Sequence, residues 1–393
     1  MTADARIRVP VLARVEGEGA LDLDIEAGRV STVRLRLFEP PRYFEQLVLG
    51  HGCDEVVDMV ARICGICPVA YQLTAVRAFE RILGVDPGPW VRAMRRVLYC
   101  GEWLQSHALH VHLLAAPDFC GTDSVLGLAR RFPDAVRRGL RLQGLGNDLI
   151  ALFGGRSVHP VGVRVGGFHC APEASAVAPF LPRLAEAVAE AEALIDWVAA
   201  LPLPEDRQDF TSVALSSADH YAVDTGDICS DDGLCCSDAA WDRHFVESQV
   251  PHSTALHALL NGRPYLVGPL ARLNLNHTHL PERAAAALAR TGVAWPSRNM
   301  FHSVVARAVE ILAALLEAQR LLTGYRKPRA VAAGWQPIAG AAAAATEAPR
   351  GLLWHRYALD ERGRVAEAHI VPPTSQNQAR CEADLRVSLA AFG

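Results

Sequence analysis

The chain has 393 residues, half of them apolar, and a formal net charge of −4 at pH 7. This length and composition predict a globular protein with a large core. The sequence has no block of basic residues, which argues against nucleic acids and anionic membranes as partners. The N-terminus has no basic region followed by an apolar run, and no apolar stretch is long enough to span a bilayer. We therefore expect a cytoplasmic protein.

The predicted secondary structure begins with β-strands. Residues 7–37 alternate apolar and polar positions around a turn at Ala27-Gly28, which predicts a β-hairpin or a small sheet. Apolar residues three or four apart then predict helices over residues 54–63, 69–83, 89–115, 124–130, 134–152, 174–200, 282–291 and 300–324.

The remaining segments predict less regular structure. Residues 203–245 are acidic and rich in loop-forming residues, and residues 341–345 are a low-complexity alanine run. Residues 350–371 predict a β-hairpin with a turn near Gly363. A final helix is expected over residues 376–392.

These elements predict a fold of the α+β class that is mainly α, a helical bundle with small peripheral β-sheets. The sequence contains no repeat and no long linker, so we expect one domain over residues 1–393. Within it, residues 1–50 form a β-rich part, residues 51–330 form the helical core, and residues 331–393 hold the hairpin and the C-terminal part.

The strongest local motif is Arg62-Ile-Cys64-Gly-Ile-Cys67-Pro68, directly before the helix predicted at 69–83. A helix N-terminus and a neighbouring arginine both favour the thiolate form of cysteine, which binds metals and attacks disulfides. By itself the spacing leaves three interpretations open: half of a metal site, a redox disulfide, or structural thiols.

The other cysteines fall into two groups. Four lie in apolar or helical contexts, where cysteine usually serves as a small buried hydrophobe: Cys53, Cys100, Cys120 and Cys170. The second group consists of Cys229, Cys235, Cys236 and Cys381. Nothing in the sequence brings this second group to the motif, so we expect free thiols more than a replacement zinc or iron–sulfur site.

A wider set of motifs resembles the large subunit of nickel–iron hydrogenases. The blocks occur in family order over essentially the whole chain: Arg14-Val-Glu16-Gly17, Glu39 to Glu45, Arg62 to Cys67, Gly154 to Pro160, Val250 to His257, Gly268 to Asn276, Glu347 to Gly351 and Val371 to Gln378. The last two blocks most resemble the cytoplasmic, NAD(P)-linked branch of the family, which includes bidirectional and sulfhydrogenase types.

The resemblance implies a nickel–iron centre whose iron carries cyanide and carbonyl ligands. Soft thiolates suit both metals. Cys64 would be a terminal nickel ligand, and Cys67 would bridge nickel and iron. In the family, a second pair of thiolates comes from a C-terminal CxxC, and no CxxC follows Thr374 here. We therefore expect an incomplete ligand set.

Four further residues match functional positions of the family. Glu16 resembles the carboxylate that passes protons from the metals, although an ion pair with Arg14 or Arg62 is the alternative. Arg350 resembles the guanidinium over the site, and Thr374 the hydroxyl that hydrogen-bonds a cyanide. For Arg350, the capping of a turn is the simpler interpretation. Glu45 matches a magnesium ligand, which one carboxylate supports only weakly.

One substitution departs from the family pattern. Tyr71 stands where the pattern RxCGxCxxxH has histidine, and a phenol is bulkier than an imidazole and titrates at a much higher pH. Together with the missing CxxC, this substitution favours divergence from hydrogenase chemistry.

Three functions remain open. The first is a subunit that does not cleave hydrogen, or a scaffold that holds an Fe(CN)2CO unit in a redox complex. The second is a catalytic large subunit that works with an iron–sulfur small subunit and flavin- and NAD(P)-binding diaphorase subunits. The third is a zinc-stabilised structural subunit.

Overall fold

The computed structural model describes residues 4–13, 15, 17–27, 29–38 and 41–392. The α-helices are α1 Pro41–Leu47, α2 Cys53–Val60, α3 Pro68–Leu83, α4 Gly88–Leu109, α5 Ala116–Phe119, α6 Val125–Arg131, α7 Pro133–Gly154, α8 Ala174–Val177, α9 Phe180–Ala199, α10 Pro269–Asn276, α11 Glu282–Arg290, α12 Ser303–Leu322 and α13 Pro373–Phe392. None of the helices in these ranges is long and apolar enough to cross a membrane.

The strands are β1 Ala5–Val9, β2 Gly19–Glu26, β3 Arg29–Leu37, β4 Val163–Arg164, β5 Gly167–Phe168, β6 Thr211–Ser216, β7 Asp227–Ser230, β8 Cys235–Cys236, β9 Phe245–Ser248, β10 His257–Leu260, β11 Tyr265–Leu266, β12 Gly340–Ala348, β13 Gly351–Leu359 and β14 Val365–Val371. They form small sheets in the orders β1-β2-β3, β11-β6-β7-β8, β12-β13-β14, β9-β10 and β4-β5. The expected mainly helical α+β fold is confirmed.

Helices α4 and α7 form the centre of the helical layer, and glycine allows their close contact. A Cβ atom at Gly146 would lie 2.5 Å from the backbone N of Gln105, and one at Gly101 would lie 3.0 Å from the carbonyl O of Gly146. Glycine at both positions lets the two backbones approach. Helix α12 packs on α4 and on α9, and the β12-β13 hairpin packs on α3.

A π-helix, His110–Ala115, extends α4. Such a wide turn changes the direction in which the following side chains point. His112 is buried, with its Nδ1 3.0 Å from the carbonyl O of Ala108. Its ring fills space that Gly139 leaves open, because a Cβ atom there would lie 2.5 Å from the Cγ of His112.

Most predicted helices are confirmed, but the helix predicted at 174–200 is not continuous. It divides into α8 and α9 around Pro179, because proline has no N–H to continue the hydrogen-bond ladder of α8. Sequence periodicity also missed three short helices, α1, α5 and α10.

The alanine run 341–345 is a strand and not merely a low-complexity segment. It lies within β12, which pairs with β13 along its whole length. Ala344 is fully buried. Small side chains let this strand pack against α3, so tertiary packing outweighs the low β-propensity of alanine. Residues 203–245 likewise contain β6, β7 and β8, held by pairing that the loop-rich sequence did not predict.

A buried ion cluster joins α10, α12 and β12. Arg272 donates from Nε and Nη2 to the two carboxylate oxygens of Glu310, at 2.6 and 2.8 Å, and from Nη1 to Glu347 Oε2 at 2.9 Å. All three side chains are inaccessible to solvent. Burial alone would raise the pKa of Glu310, but Arg272 outweighs burial and holds that pKa at about 2. For Glu347 burial prevails and raises the pKa to about 7.

A second buried carboxylate stabilises the start of α3. Glu102 accepts hydrogen bonds from the backbone N of Val69 at 2.6 Å and of Ala70 at 3.1 Å. These are orphan amides of a helix N-terminus, which favours negative charge. Glu102 is fully buried, and burial raises its pKa to about 8 although the two amides act in the opposite direction.

Replacement of Arg272 by methionine tests the ion cluster. Arg272→Met leaves Glu310 and Glu347 buried without their cation, and we expect the free energy of unfolding to fall by about 3–5 kcal/mol. Urea denaturation measures this change. Arg283 is the matched control, because it forms the same two-bond pair with Glu192 at 2.6 and 2.9 Å on the surface. Arg283→Met is expected to cost about 1 kcal/mol or less. Equal effects of the two substitutions would contradict the interpretation.

Glu102→Gln tests the buried carboxyl through its pH dependence. The pKa of Glu102 in the folded chain, about 8, lies above that of an unfolded glutamate, so the folded state retains a proton that the unfolded state loses. The stability from this proton is complete below the unfolded pKa and is lost as pH rises through about 8. Between these two pKa values, the free energy of unfolding of the unsubstituted chain should therefore fall by up to about 1.4 kcal/mol per pH unit relative to that of Glu102→Gln.

Urea denaturation of the chelator-treated protein at several pH values measures this loss. Glu361→Gln, at an exposed position, is the control and should leave the pH profile unchanged. A constant difference between the native chain and Glu102→Gln at every pH would show that Glu102 is ionised throughout.

Candidate metal centre

The two cysteines of the motif lie in the loop between α2 and α3. Cys64 is 8% exposed, and Cys67 is the N-cap residue of α3, followed by Pro68 at the first helical position. Their Cα atoms are 5.4 Å apart, and the structure joins their sulfurs as a disulfide. Two sulfurs this close together at a helix N-terminus form a donor pair for a soft metal once they are reduced.

Two hydrogen bonds hold this loop, and a third joins α3 to the Gly154–Pro160 block beside it. Gln105, on α4, donates from Nε2 to the carbonyl O of Ile66 at 3.0 Å. His159 Nδ1 lies 2.7 Å from the carbonyl O of Ala61. Gln72 donates to the carbonyl O of Pro160 at 2.8 Å. The structure thus places the Gly154–Pro160 block against the cysteine loop. The order of the motifs in the sequence did not predict this contact.

Tyr71 lies one turn into α3 and is buried, with its ring centroid 5.6 Å from that of His355. His355, on β13, is fully buried, and its Nδ1 lies 3.0 Å from the hydroxyl of Tyr357. Burial lowers the pKa of His355 to about 3, so this imidazole is neutral. Sequence analysis missed His355, because only the packing of β13 on α3 places it beside Tyr71.

Arg350 occupies the turn between β12 and β13. Gly268 lies against it, since a Cβ atom there would be 2.9 Å from the carbonyl O of Arg350. Arg272 donates to the carbonyl oxygens of Ala348 and Pro349 at 2.9 and 3.1 Å. The ion cluster therefore fixes the turn that carries Arg350, and the side chain of Arg350 is half-buried.

The surroundings of Arg350 carry excess positive charge. Arg307, on α12, is 8% exposed, and its Nε has no hydrogen-bond partner among the described residues. Burial, followed by the charge of Arg350, lowers the pKa of Arg307 to about 9. Burial together with Arg307 and Arg350 also lowers the pKa of His110 well below its ordinary value. A buried region with unbalanced cations favours an anionic group. Sequence analysis identified neither Arg307 nor His110.

Thr374 is half-buried at the second position of α13. The start of this helix is tied to the segment that supports Arg350. Asn377 accepts from the backbone N of Val267 at 2.9 Å and donates to the carbonyl O of the same residue at 3.1 Å. Val267 precedes Gly268, so one segment positions both the arginine turn and the threonine helix.

Glu45 belongs to a separate group of polar residues. It accepts from the backbone N of Ile370 at 2.8 Å and from Arg42 at 3.3 Å. Burial raises the pKa of Glu45 although both partners lower it. On the strand that carries Ile370, His369 Nε2 lies 2.9 Å from Glu247. These groups place a second carboxylate and an imidazole near Glu45, which the sequence did not predict.

The proton-transfer prediction for Glu16 cannot be placed, because Glu16 lies outside the described residues. Two predictions about cysteines are wrong. Cys170 is exposed, so it is not the buried hydrophobe that its context suggested. Cys229 and Cys235 are not free thiols, because they are joined as a disulfide across β7 and β8, whereas Cys236 and Cys381 are free.

The cysteine pair is not part of a larger ligand cluster among the described residues. There, histidine, cysteine and carboxylate side chains form a group of three potential ligands at His252, His257 and Glu382. Neither Cys64 nor Cys67 belongs to that group. The described part of the chain therefore offers two sulfurs at the cysteine loop.

Comparison with known proteins gives consistent matches. The family model described as nickel-dependent hydrogenase matches residues 42–131. The chain is 32% identical to Sulfhydrogenase 1 subunit alpha of Pyrococcus furiosus, over 97% of this chain and 90% of that protein. It is 29% identical to NAD-reducing hydrogenase HoxS subunit beta of Cupriavidus necator, over 95% of this chain and 85% of that protein.

Solved structures match as well. An NAD+-reducing nickel–iron hydrogenase in the H2-reduced state aligns with a TM-score of 0.88 and 26% identity, over 98% of this chain and 92% of that chain. A nickel–iron–selenium hydrogenase of D. vulgaris Hildenborough aligns with a TM-score of 0.81 at 20% identity, over 95% and 90% of the two chains, and so shares the fold. The chain belongs to the large-subunit family of nickel-dependent hydrogenases.

Proposed function

We propose that this chain is a large-subunit homologue that holds an Fe(CN)2CO unit through Cys64 and Cys67 in a redox complex and does not itself cleave hydrogen. The observation that carries the proposal is the pair of sulfurs at the N-terminus of α3, where the Cα atoms of Cys64 and Cys67 lie 5.4 Å apart. Two thiolates can hold one iron, whereas a bridged nickel–iron pair needs two more.

The charge around Arg350 supports an anionic occupant. Arg350 lies close enough to Arg307 to contribute to lowering its pKa, and the Nε of the buried Arg307 has no hydrogen-bond partner in the described part of the chain. An iron unit with two cyanides and two thiolates carries negative charge, which would stabilise these guanidinium groups. Arg350 would face the cyanides, and the Thr374 hydroxyl would donate a hydrogen bond to one of them. When bound, the unit would supply a low-spin iron(II) centre with strong-field cyanide and carbonyl ligands.

The presence of Tyr71 supports the proposal that the chemistry at the cysteine loop differs from that of the family. A histidine at this position could donate to a ligand sulfur, whereas Tyr71 is buried against the His355 ring. A phenol is bulkier than an imidazole and titrates at a much higher pH. We propose that the cysteine loop exchanges protons with a bound metal less readily with Tyr71 than it would with histidine at this position.

We also propose an iron–sulfur small-subunit-like partner that docks beside the cysteine loop. Val158 and Val161 flank the loop-binding residues His159 and Pro160, and they are 53% and 39% exposed. Exposed apolar side chains near a redox site favour a protein partner. Electrons would pass from that partner to flavin- and NAD(P)-binding subunits; one relative is named as part of an NAD-reducing hydrogenase.

Two other functions remain candidates. In the first, the chain is the catalytic large subunit of an NAD(P)-linked hydrogenase: thiolates from outside the described residues complete a nickel–iron centre, and Glu16 passes protons. In the second, zinc binds Cys64 and Cys67 and has a structural role. Glu45 would hold magnesium only if ligands beyond Glu247 and His369 completed an oxygen-rich set.

Metal analysis and infrared spectroscopy of the anaerobically purified complex test the proposal. We expect iron without nickel, together with bands of metal-bound cyanide and carbonyl. Cys64→Ser and Cys67→Ser should abolish these bands, because each removes one of two ligands. Cys170→Ser, which changes an exposed cysteine, should retain them.

Each alternative outcome identifies a different function. Nickel together with iron, accompanied by hydrogen-dependent dye reduction, would replace the proposal with the catalytic one. Zinc alone, without cyanide or carbonyl bands, would favour the structural subunit.

Arg307→Met tests whether the cations serve an anionic ligand. The substitution removes a buried positive charge, which is destabilised by its burial and by the positive charge of Arg350. We expect the ligand-free chain to gain about 1 kcal/mol in its free energy of unfolding, measured with urea. The purified complex should retain less iron and show weaker cyanide bands. Arg320→Met is the control, because Arg320 pairs with Glu317 at the surface, and it should leave the iron content unchanged. Unchanged iron content in Arg307→Met would contradict the assigned role.

A further inference from the structure

Two histidines and a glutamate converge where α13 packs beside the loop between β9 and β10. His252 lies in that loop, His257 begins β10, and Glu382 is on α13. One ring nitrogen of each histidine and one carboxylate oxygen of Glu382 all lie within 4.8 Å of one another. The shortest of these separations joins His252 Nε2 and Glu382 Oε1, at 2.7 Å.

His257 has a buried nitrogen without a partner. The residue is 7% exposed, and its Nε2 forms no hydrogen bond among the described residues. The imidazole rings of His252 and His257 are 5.8 Å apart. A buried ring nitrogen that lacks a partner normally costs free energy. Coordination of a metal ion would satisfy it.

This cluster is separate from the group around Glu45. In the β9-β10 pair, Ala258 lies opposite Glu247, and His257 lies opposite Ser248. Because successive side chains of a strand point to opposite faces, His257 lies on the other face from Glu247. Glu247 contacts His369, which belongs to the Glu45 group.

We propose that His252, His257 and Glu382 bind one divalent transition-metal ion, with zinc as the occupant that this donor set favours. Two imidazoles and one carboxylate are borderline donors that suit zinc better than magnesium or calcium, which prefer oxygen ligands. Three protein ligands leave a fourth position for water. Ligand atoms about 2 Å from a tetrahedral zinc ion lie roughly 3.3 Å apart, between the 2.7 Å of the His252–Glu382 contact and the 4.8 Å limit that encloses all three groups.

Surrounding hydrogen bonds orient the ligands. The backbone N of Leu35, on β3, donates to Glu382 Oε1 at 2.8 Å. Ser253, next to His252, accepts from Gln378 of α13 at 2.7 Å. Such outer contacts fix the orientation of metal ligands. A metal here would clamp α13 to β3 and to the loop before β10, and it would reinforce the placement of the helix that begins beside Thr374.

Zinc titration of the full chain tests the site. The background is the Cys64→Ser and Cys67→Ser double variant after chelator treatment, so that zinc cannot bind the cysteine loop. Competition with a chromophoric chelator measures stoichiometry and affinity. We expect one zinc per chain, and at least about tenfold weaker binding in His257→Gln and in Glu382→Gln. Because Cys64 and Cys67 are absent from this background, the result does not depend on the proposed function.

His369→Gln is the matched control, since it removes an imidazole that pairs with a glutamate on the opposite face of the β9-β10 pair. It should leave the zinc affinity unchanged. Loss of zinc in His369→Gln, or no zinc binding in the background chain, would overturn the proposal.

A cobalt-substituted sample of the chain with its cysteines intact gives a test that needs no variant at the site. When the first equivalent of cobalt binds to the oxidised chain, we expect the d–d absorption bands of tetrahedral cobalt. We expect no sulfur-to-metal charge-transfer band at this stage. A spectrum typical of octahedral oxygen coordination would overturn the assignment of this donor set.

Discussion

The guanidinium of Arg272 is the interaction on which most of the described architecture depends. It satisfies two carboxylates from different elements, Glu310 and Glu347, and it bonds the carbonyl oxygens of the turn that carries Arg350. Its planar group also lies 4.4 Å from the centre of the Trp103 ring on α4. The guanidinium holds its N–H donors in fixed directions, which suits this position. A lysine could not bond both carboxylates and the turn. The position of the arginine turn relative to α4 therefore follows from one side chain.

Helix α4 transmits that order to the cysteine loop. Trp103 donates from Nε1 to the carbonyl O of Glu347, and its neighbour Glu102 accepts from the first amides of α3. Gln105, further along the same helix, holds the loop itself. Residues of one helix thus link the sulfurs to the arginine turn. The close contact between Gly101 of α4 and Gly146 of α7 keeps this helix in a single position.

Local chemistry was predictable from the sequence, and long-range contacts were not. The cysteine pair before a proline-initiated helix could be identified because a loop motif carries its own signal in spacing and residue type. His355 and Arg307 could not be identified from the sequence, because each lies in an ordinary strand or helix pattern. Their roles come from contacts with elements that are far away in the chain. The same reason explains β12: only pairing with β13 and packing on α3 make a strand from a run of alanines. Glu45 was identified by resemblance, but its neighbours Glu247 and His369 required the fold.

The π-helix after α4 has a consequence for insertions and deletions in this family. A π-turn accommodates one residue more than an α-helical turn, so it usually marks a single-residue insertion in an otherwise continuous helix. Six residues wound as a π-helix turn through about the same angle as five residues wound as an α-helix, so deletion of one residue within His110–Ala115 would leave the following segment in nearly its present orientation. The change would fall on the residues inside the segment, and the His112 ring would no longer fill the space beside Gly139. The extra residue therefore brings a buried imidazole to this place while the chain still enters α5 in the same direction.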